Sequence, residues 1–165
     1  MKKQITLMNR ARLQRTLRRI AIQVWEKLGT EEDLVIIGLN ERGYAAALEL
    51  SGYIDDYLST KAQVHQYEVT GNNAESSLPE CNDKFVLLVD DVIFSGKTMF
   101  EALSGVCNIY EPKTIEIAVL IDRGHRKYPL LTGMSGIEVP TKLGEHIEVM
   151  LKNSKLEEAI LFKNS

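Results

Sequence analysis

The strongest constraint on this chain lies between Val86 and Thr98. An unbroken apolar run, Val86-Leu87-Leu88-Val89, ends in the adjacent acids Asp90-Asp91 and continues through Val92-Ile93-Phe94-Ser95-Gly96-Lys97-Thr98 into helical spacing. An apolar run without polar alternation suits a strand covered on both faces, as parallel strands are between layers of helices. A short loop with glycine then lets backbone N–H groups converge. The following helix N-terminus adds its positive dipole end, so the segment is suited to an anion. Carboxylates just before such a loop suit sugar hydroxyls or a hydrated Mg²⁺. The whole reads as a site for a phosphorylated sugar. A buried strand with an ordinary helix cap would account for the apolar run and Ser95, but not for the paired acids. Two other phosphate motifs are excluded by spacing. A P-loop needs glycine where this chain has Asp91, and the dinucleotide fingerprint needs three spaced glycines where this loop has only Gly96.

The rest of the chain alternates in the same style. Leu13, Leu17, Ile20, Ala21, Val24 and Leu28 fall at helical spacing, predicting an amphipathic helix over 10–28 that Gly29 ends. Leu34–Leu39 is an apolar run of strand length, and 44–58 returns to helical spacing through Ala47, Leu50, Ile54 and Leu58. Ala62–Val69 reads as a strand, Thr70–Asn82 as a polar loop, about 96 to 109 as a helix, and Thr114–Ile121 as another strand. Such βαβ alternation predicts an α/β fold, a doubly wound and mostly parallel sheet with flanking helices and right-handed crossovers. Short β-like pieces at Ile137–Val139, Ile147–Leu151 and Ala159–Phe162 predict a small C-terminal β-rich cap. Ligands of such sheets bind at the C-terminal ends of the strands. The loops Asn40–Gly43, Thr70–Asn82 and Asp90–Thr98 all meet that criterion, and together they define one candidate site.

At 165 residues, 1–165 is expected to form one domain with a single buried core. No segment approaches the roughly 20 apolar residues of a membrane span, and the first ten residues lack a signal-peptide core. Cys81 and Cys107 are neither clustered nor close to a histidine pair, which suits a reduced, cytoplasmic setting. The net charge of −3 is unevenly spread: residues 1–20 hold seven Lys or Arg and no acid, leaving 13 basic against 23 acidic residues elsewhere. Such asymmetry marks either an anion or nucleic-acid contact or a solvated helix face. The sequence shows no exposed aromatic platform beside it.

The segment Val86–Thr98 resembles the phosphoribosyl pyrophosphate motif of type I phosphoribosyltransferases. Ala118-Val119-Leu120-Ile121-Asp122-Arg123-Gly124-His125-Arg126-Lys127-Tyr128-Pro129, Val139-Pro140-Thr141 and Leu17-Arg18-Arg19-Ile20-Ala21 are similar to the bifunctional pyrimidine operon attenuator and uracil phosphoribosyltransferase family. The resemblance covers nearly the whole chain. It implies the type I phosphoribosyltransferase fold and Mg²⁺-dependent transfer of 5-phosphoribose from phosphoribosyl pyrophosphate to a nucleobase, uracil favoured, in a homo-oligomer without membrane contact. By the same resemblance Asp90 and Asp91 bind the ribose hydroxyls and hold Mg²⁺ through them or through water. Ser95, Gly96, Lys97 and Thr98 hold the 5-phosphate, and Asn40, Glu41, Arg42 and Gly43 hold pyrophosphate. Asp90, Asp91 and Arg42 are the implied catalytic residues, and Phe94, Met134 and Gly136 line the implied base pocket.

Phe94 stands where purine enzymes of the fold carry an Asp that exchanges a proton with the base, which favours a pyrimidine. Met134 stands where an aromatic usually faces the base. Thr70–Asn82 takes the place of the family's mobile lid, yet it contains no Arg or Lys, which predicts weaker stabilisation of departing pyrophosphate. The resemblance also implies an alternative, an RNA-binding regulator of a pyrimidine operon that senses nucleotides in the same pocket. There Arg18, Arg19, His125 and Arg126 would meet an mRNA leader.

Overall fold

The computed structural model describes residues 2–30, 33–71 and 77–164. The apolar runs become strands. Strand β2 (Leu34–Leu39) is buried at every position, and β4 (Phe85–Ile93) is buried through Asp90. With β3 (Gln63–Tyr67), β5 (Thr114–Asp122) and β6 (Met134–Glu138) they form a sheet in the order β3-β2-β4-β5-β6, each neighbouring pair parallel.

Helices cover both faces. On one side α1 (Arg10–Leu28) and α2 (Asn40–Ile54) pack Leu13, Leu17, Ile20, Val24, Ala46 and Leu50 against Ile36, Leu87 and Val89. On the other, α3 (Lys97–Ile109) packs Met99, Ala102 and Val106 against Val35, Ile37, Val86 and Leu88. Each fully buried Leu, Ile or Val in these layers contributes about 1.5–3 kcal/mol of transfer free energy.

The helix α1 occupies the predicted span. The Asn9 side chain caps it by accepting from Arg12 N at 2.9 Å, and Gly29 ends it at φ +61°. The second helix begins four residues earlier than its apolar spacing predicts and stops at Ile54, followed by a 3₁₀ turn over Asp55–Tyr57. Asn40, at φ +57°, turns the chain from strand straight into helix, so Asn40–Gly43 is the first turn of α2 and not a separate loop.

The cap differs more. Residues 134–138 do not belong to it; they form β6 on the edge of the main sheet, with Ala118 opposite Met134 and Ile121 opposite Ile137. A second, antiparallel sheet has the order β1-β8-β7, from β1 (Lys3–Met8), β7 (His146–Lys152) and β8 (Lys155–Lys163). Its N-terminal strand was not legible as one, because Lys2 and Lys3 precede an alternation of only Ile5 and Leu7, both partly buried.

The contact between β2 and the start of α2 is tight. A Cβ on Gly38 would collide with Tyr44 Cα and lie 2.7 Å from Gly43 O and Tyr44 N. All three obstacles are backbone and cannot turn aside. We therefore expect Gly38→Ala to lower the unfolding free energy by about 2–3 kcal/mol, read by urea denaturation of the two proteins.

Candidate functional site

The C-terminal ends of β2, β3 and β4 open into a cleft of about 490 Å³ whose lining includes Asn40, Glu41, Arg42, Asp90, Asp91 and Thr98. Two of the three predicted loops thus meet in one place. Glu68, directly after β3, lines it as well. The third loop begins beside it, while residues 72–76 of the expected lid lie outside the described residues.

The first turn of α2 is held from several directions. Asn40 Oδ1 accepts from Val69 N at 3.1 Å, which ties the turn to the chain leaving β3. A Cβ on Gly43 would lie 2.8 Å from Val89 O and 3.2 Å from Asp90 Oδ1, so glycine is what lets α2 rest against the end of β4. Arg42 is exposed and lines the cleft, but its Nε donates to Val149 O of the second sheet at 2.8 Å.

At the end of β4, Asp90 is only 9% exposed and its Oδ1 accepts from Asp91 N at 2.8 Å. Burial, reinforced by the neighbouring Asp91 charge, pushes the Asp90 carboxyl well above the ordinary carboxylate range. The adjacent Asp91 is partly exposed. Among the described residues no three acidic, His or Cys side chains form a metal cage. A Mg²⁺ here would need oxygen atoms from a ligand or water beside one or two carboxylates, which is how this ion is commonly bound.

Beyond the acids, Gly96 caps α3 at φ +85°, and Ser95 Oγ accepts from Lys97 N at 3.2 Å. The turn is pinned from behind by the segment after β5. Ser95 O accepts from both Lys127 N and Tyr128 N at 2.9 Å. Arg126 donates to Phe94 O at 2.9 Å, to Leu130 O at 3.2 Å and to Gly124 O at 3.3 Å, and pairs with Asp122 at 2.7 Å. Burial raises the Asp122 carboxyl, but the Arg126 bond, the Gly124 N–H and the Arg126 charge outweigh it and hold the group below its ordinary range.

The residues predicted for the base pocket separate. Phe94 stays at the sheet edge, 43% exposed, with the Arg123 guanidinium 4.1 Å from its ring centroid and the His125 ring edge-on at 5.7 Å. Met134 does not join it: it starts β6, opposite Ala118 and well inside the strand end, and is 1% exposed in the apolar core. Gly136 does not join it either, because a Cβ there would overlap Leu120 O and lie 2.6 Å from Thr16 Cγ2; the residue is small so that β6 can fit beneath α1.

The cationic residues assigned to RNA are also placed. Arg126 is a correction, since its side chain is 18% exposed and its donors brace the turn just described. His125 Nε2 lies 2.6 Å from Thr141 O, Arg19 reaches Ser135 O and Gly136 O, and Arg18 sits 4.8 Å from the Tyr53 ring centroid.

Sequence reasoning missed Glu68 because the predicted strand ran to Val69 and placed it inside the sheet. It also assigned no role to Arg123 of Asp-Arg-Gly-His-Arg. Arg123 donates to the buried Thr141 Oγ1 at 3.0 Å and to Glu145 O at 2.9 Å, so it fastens the chain after β6 to Phe94. Burial lowers its guanidinium below the usual range, against the opposing charge of Glu145.

The parallel sheet carries an acid pair and a glycine-capped helix at its C-terminal edge, an arrangement suited to a phosphorylated ligand, and the chain matches the phosphoribosyl transferase domain over residues 6–146. The chain belongs to that family, and transfer of a phosphoribosyl group is its activity class. It is 33% identical over 167 aligned residues to the bifunctional protein PyrR of Chloroflexus aurantiacus, covering 93% of this chain and 92% of that one. It is 34% identical to bifunctional protein PyrR of Clostridium acetobutylicum over 90% of each. Among solved structures, a hypoxanthine-guanine phosphoribosyltransferase from Bacillus anthracis superposes with TM-score 0.71 at 18% identity, covering 94% of this chain and 96% of the other. That likeness concerns the fold.

The Asp90 environment has a measurable consequence. A carboxyl raised by folding contributes stability below its unfolded value, near about 4, and loses that contribution as pH rises through the folded value. We expect Asp90→Asn to unfold at a higher temperature than the wild type at pH 8, with the difference shrinking towards pH 4. Thermal denaturation across that range checks it.

Proposed function

We propose that this protein transfers 5-phosphoribose from phosphoribosyl pyrophosphate to a nucleobase, uracil favoured, with release of pyrophosphate and dependence on Mg²⁺. The observation that carries the proposal is the meeting of the Asn40–Gly43 turn, Asp90-Asp91 and Thr98 in one cleft at the C-terminal edge of the sheet. In this reading Asp90 and Asp91 accept hydrogen bonds from the ribose 2- and 3-hydroxyls. The turn Ser95–Thr98 at the start of α3, with the Ser95 and Thr98 hydroxyls, holds the 5-phosphate, the Lys97 N–H turning to it from Ser95 Oγ. Arg42 and the amides of Asn40–Gly43 face the pyrophosphate end. When bound, Mg²⁺ supplies positive charge to the leaving group.

Displacement at carbon 1 passes through a transition state of oxocarbenium character. The chain's part is to fix both ends of the sugar and to shed water from the cleft. Phe94 has no titratable group to exchange a proton with a purine ring nitrogen, which supports a pyrimidine. Residues 1–165 act as one catalytic domain, in a homo-oligomer in the cytoplasm.

The test is pyrophosphate release from phosphoribosyl pyrophosphate with Mg²⁺ and, in turn, uracil, orotate, adenine, guanine and hypoxanthine. Release with uracil alone is expected; release with a purine removes the base assignment. Replacing Asp90 and Asp91 together with Ala removes hydrogen bonds to a charged pair of acceptors, each worth about 1.5–3 kcal/mol, and should weaken phosphoribosyl pyrophosphate binding on the order of 100-fold or more. Unchanged binding in a calorimetric titration refutes the site.

A second reading, an RNA-binding regulator that senses nucleotides in the same cleft, is favoured by one structural observation. Trp25 of α1 and Tyr57 of the 3₁₀ turn stack at 5.4 Å and are 43% and 44% exposed, and Arg18 of α1 lies over Tyr53 of α2. This supplies the aromatic surface that the sequence alone did not reveal. Exposed aromatic rings suit stacking with unpaired bases, and an arginine on the same helix suits phosphates. A pyrimidine-operon leader RNA should then bind tighter than scrambled RNA at moderate salt, and Trp25→Ala should weaken it roughly tenfold in a gel-shift titration.

A further inference from the structure

The cleft carries more negative charge than the reaction requires. Four carboxyl groups line it: Glu41 on the first turn of α2, Glu68 after β3, and Asp90 and Asp91 at the end of β4. Sugar hydroxyls account for the last two. Glu41 has no hydrogen-bond or ion-pair partner among the described residues. Among the described residues the Glu68 carboxylate accepts only from the Gln66 amide. Arg42 is the one cationic side chain among the cleft's described lining, and part of its donor set is committed to Val149 O. The stretch 70–82 adds no Lys or Arg. Among the described lining, a pyrophosphate at the start of α2 would therefore face two carboxylates and one guanidinium partly committed elsewhere, whereas the turn that would hold a single phosphate, Ser95–Thr98, contains Lys97 and no acid.

We propose that Glu41 and Glu68 are specificity-determining residues that weaken the hold of this cleft on the diphosphate end of its ligand, so that a 5-phosphorylated sugar is retained while pyrophosphate is released readily. The proposal rests on the reading of the cleft as a phosphoribosyl site. Like charges a few ångströms apart in a solvent-open cleft repel modestly, and salt screens the effect. Each carboxylate should accordingly lower pyrophosphate affinity roughly three- to tenfold at low ionic strength.

The experiment is calorimetric titration of the full chain with inorganic pyrophosphate and, separately, with ribose 5-phosphate. The proteins are the wild type, Glu41→Gln, Glu68→Gln, the double variant, and Glu26→Gln as a control that removes an exposed charge from α1. Titrations run in metal-free buffer and again with Mg²⁺. The expected result is a three- to tenfold rise in the ratio of pyrophosphate to ribose 5-phosphate affinity for each single variant. The double variant should rise further, the control should not change, and the gain should fade as salt is added. An unchanged ratio in the double variant, or an equal rise in Glu26→Gln, overturns the proposal. So does weaker pyrophosphate binding by the double variant with Mg²⁺, which would make the two groups cation ligands. Absence of ribose 5-phosphate binding to the wild type would overturn the phosphoribosyl reading, while a pyrophosphate gain in the same variants would still uphold the charge assignment.

Discussion

Burial of β4 on both faces is the constraint on which the rest of this structure depends. Leu87 and Val89 face α1 and α2 while Val86 and Leu88 face α3, and none of the four is more than 2% exposed. A strand so enclosed cannot shift register by one residue without exchanging its two apolar sets between differently shaped layers. That fixes where its polar end emerges. Asp90 is held at the boundary of the core for this reason, and its raised carboxyl is the electrostatic cost of anchoring an acid to a strand that must be dry. The same enclosure sets β2 beside it, and Gly38 and Gly43 then let α2 begin in contact with both strands.

Around that anchor the site is assembled by backbone-directed bonds. Arg126 reaches three carbonyl groups and one carboxylate, and so holds the turn before α3 from behind. Arg123 does the same for the chain after β6, through Thr141 and Glu145, with its guanidinium over Phe94. Guanidinium groups suit such work because their planar set of donors can satisfy several carbonyls at once. Two arginines from a single run, Asp-Arg-Gly-His-Arg, thus act mainly on the molecule's own loops, which residue type alone does not distinguish from contacts with an external phosphate.

Much of this was legible in the sequence, for identifiable reasons. The central strands could be read because two-sided burial writes an unbroken apolar run, and α1 because its apolar positions keep helical spacing from Leu13 to Leu28. The acid pair and Gly96 were legible because their chemistry depends on adjacency along the chain. What escaped depended on distant neighbours. Met134 looks like a side chain near a base until Ala118 is found opposite it, and Gly136 looks like a pocket glycine until Thr16 and Leu120 close on it. The strand β1 has too few apolar residues to declare itself without β8. Glu68 escaped because the strand-like alternation runs on to Val69, two residues past the end of β3, and the exposed Trp25–Tyr57 stack because its rings come from α1 and from the 3₁₀ turn after α2.

The second sheet has an implication for the order in which the molecule can form. Its central strand, β8, is the last element of the chain and β1 is the first, with Ile5 opposite Leu161. The parallel sheet and its helices are complete in sequence by Glu138, so they can close during synthesis while β1 still lacks its partner. Lys3–Met8 must wait until residues 155–163 have been made, and the loop then closed runs from residue 9 to residue 154. Because Arg42 donates to Val149 of β7, the cation in the cleft takes its final position only after the parallel sheet is complete and β7 has followed it.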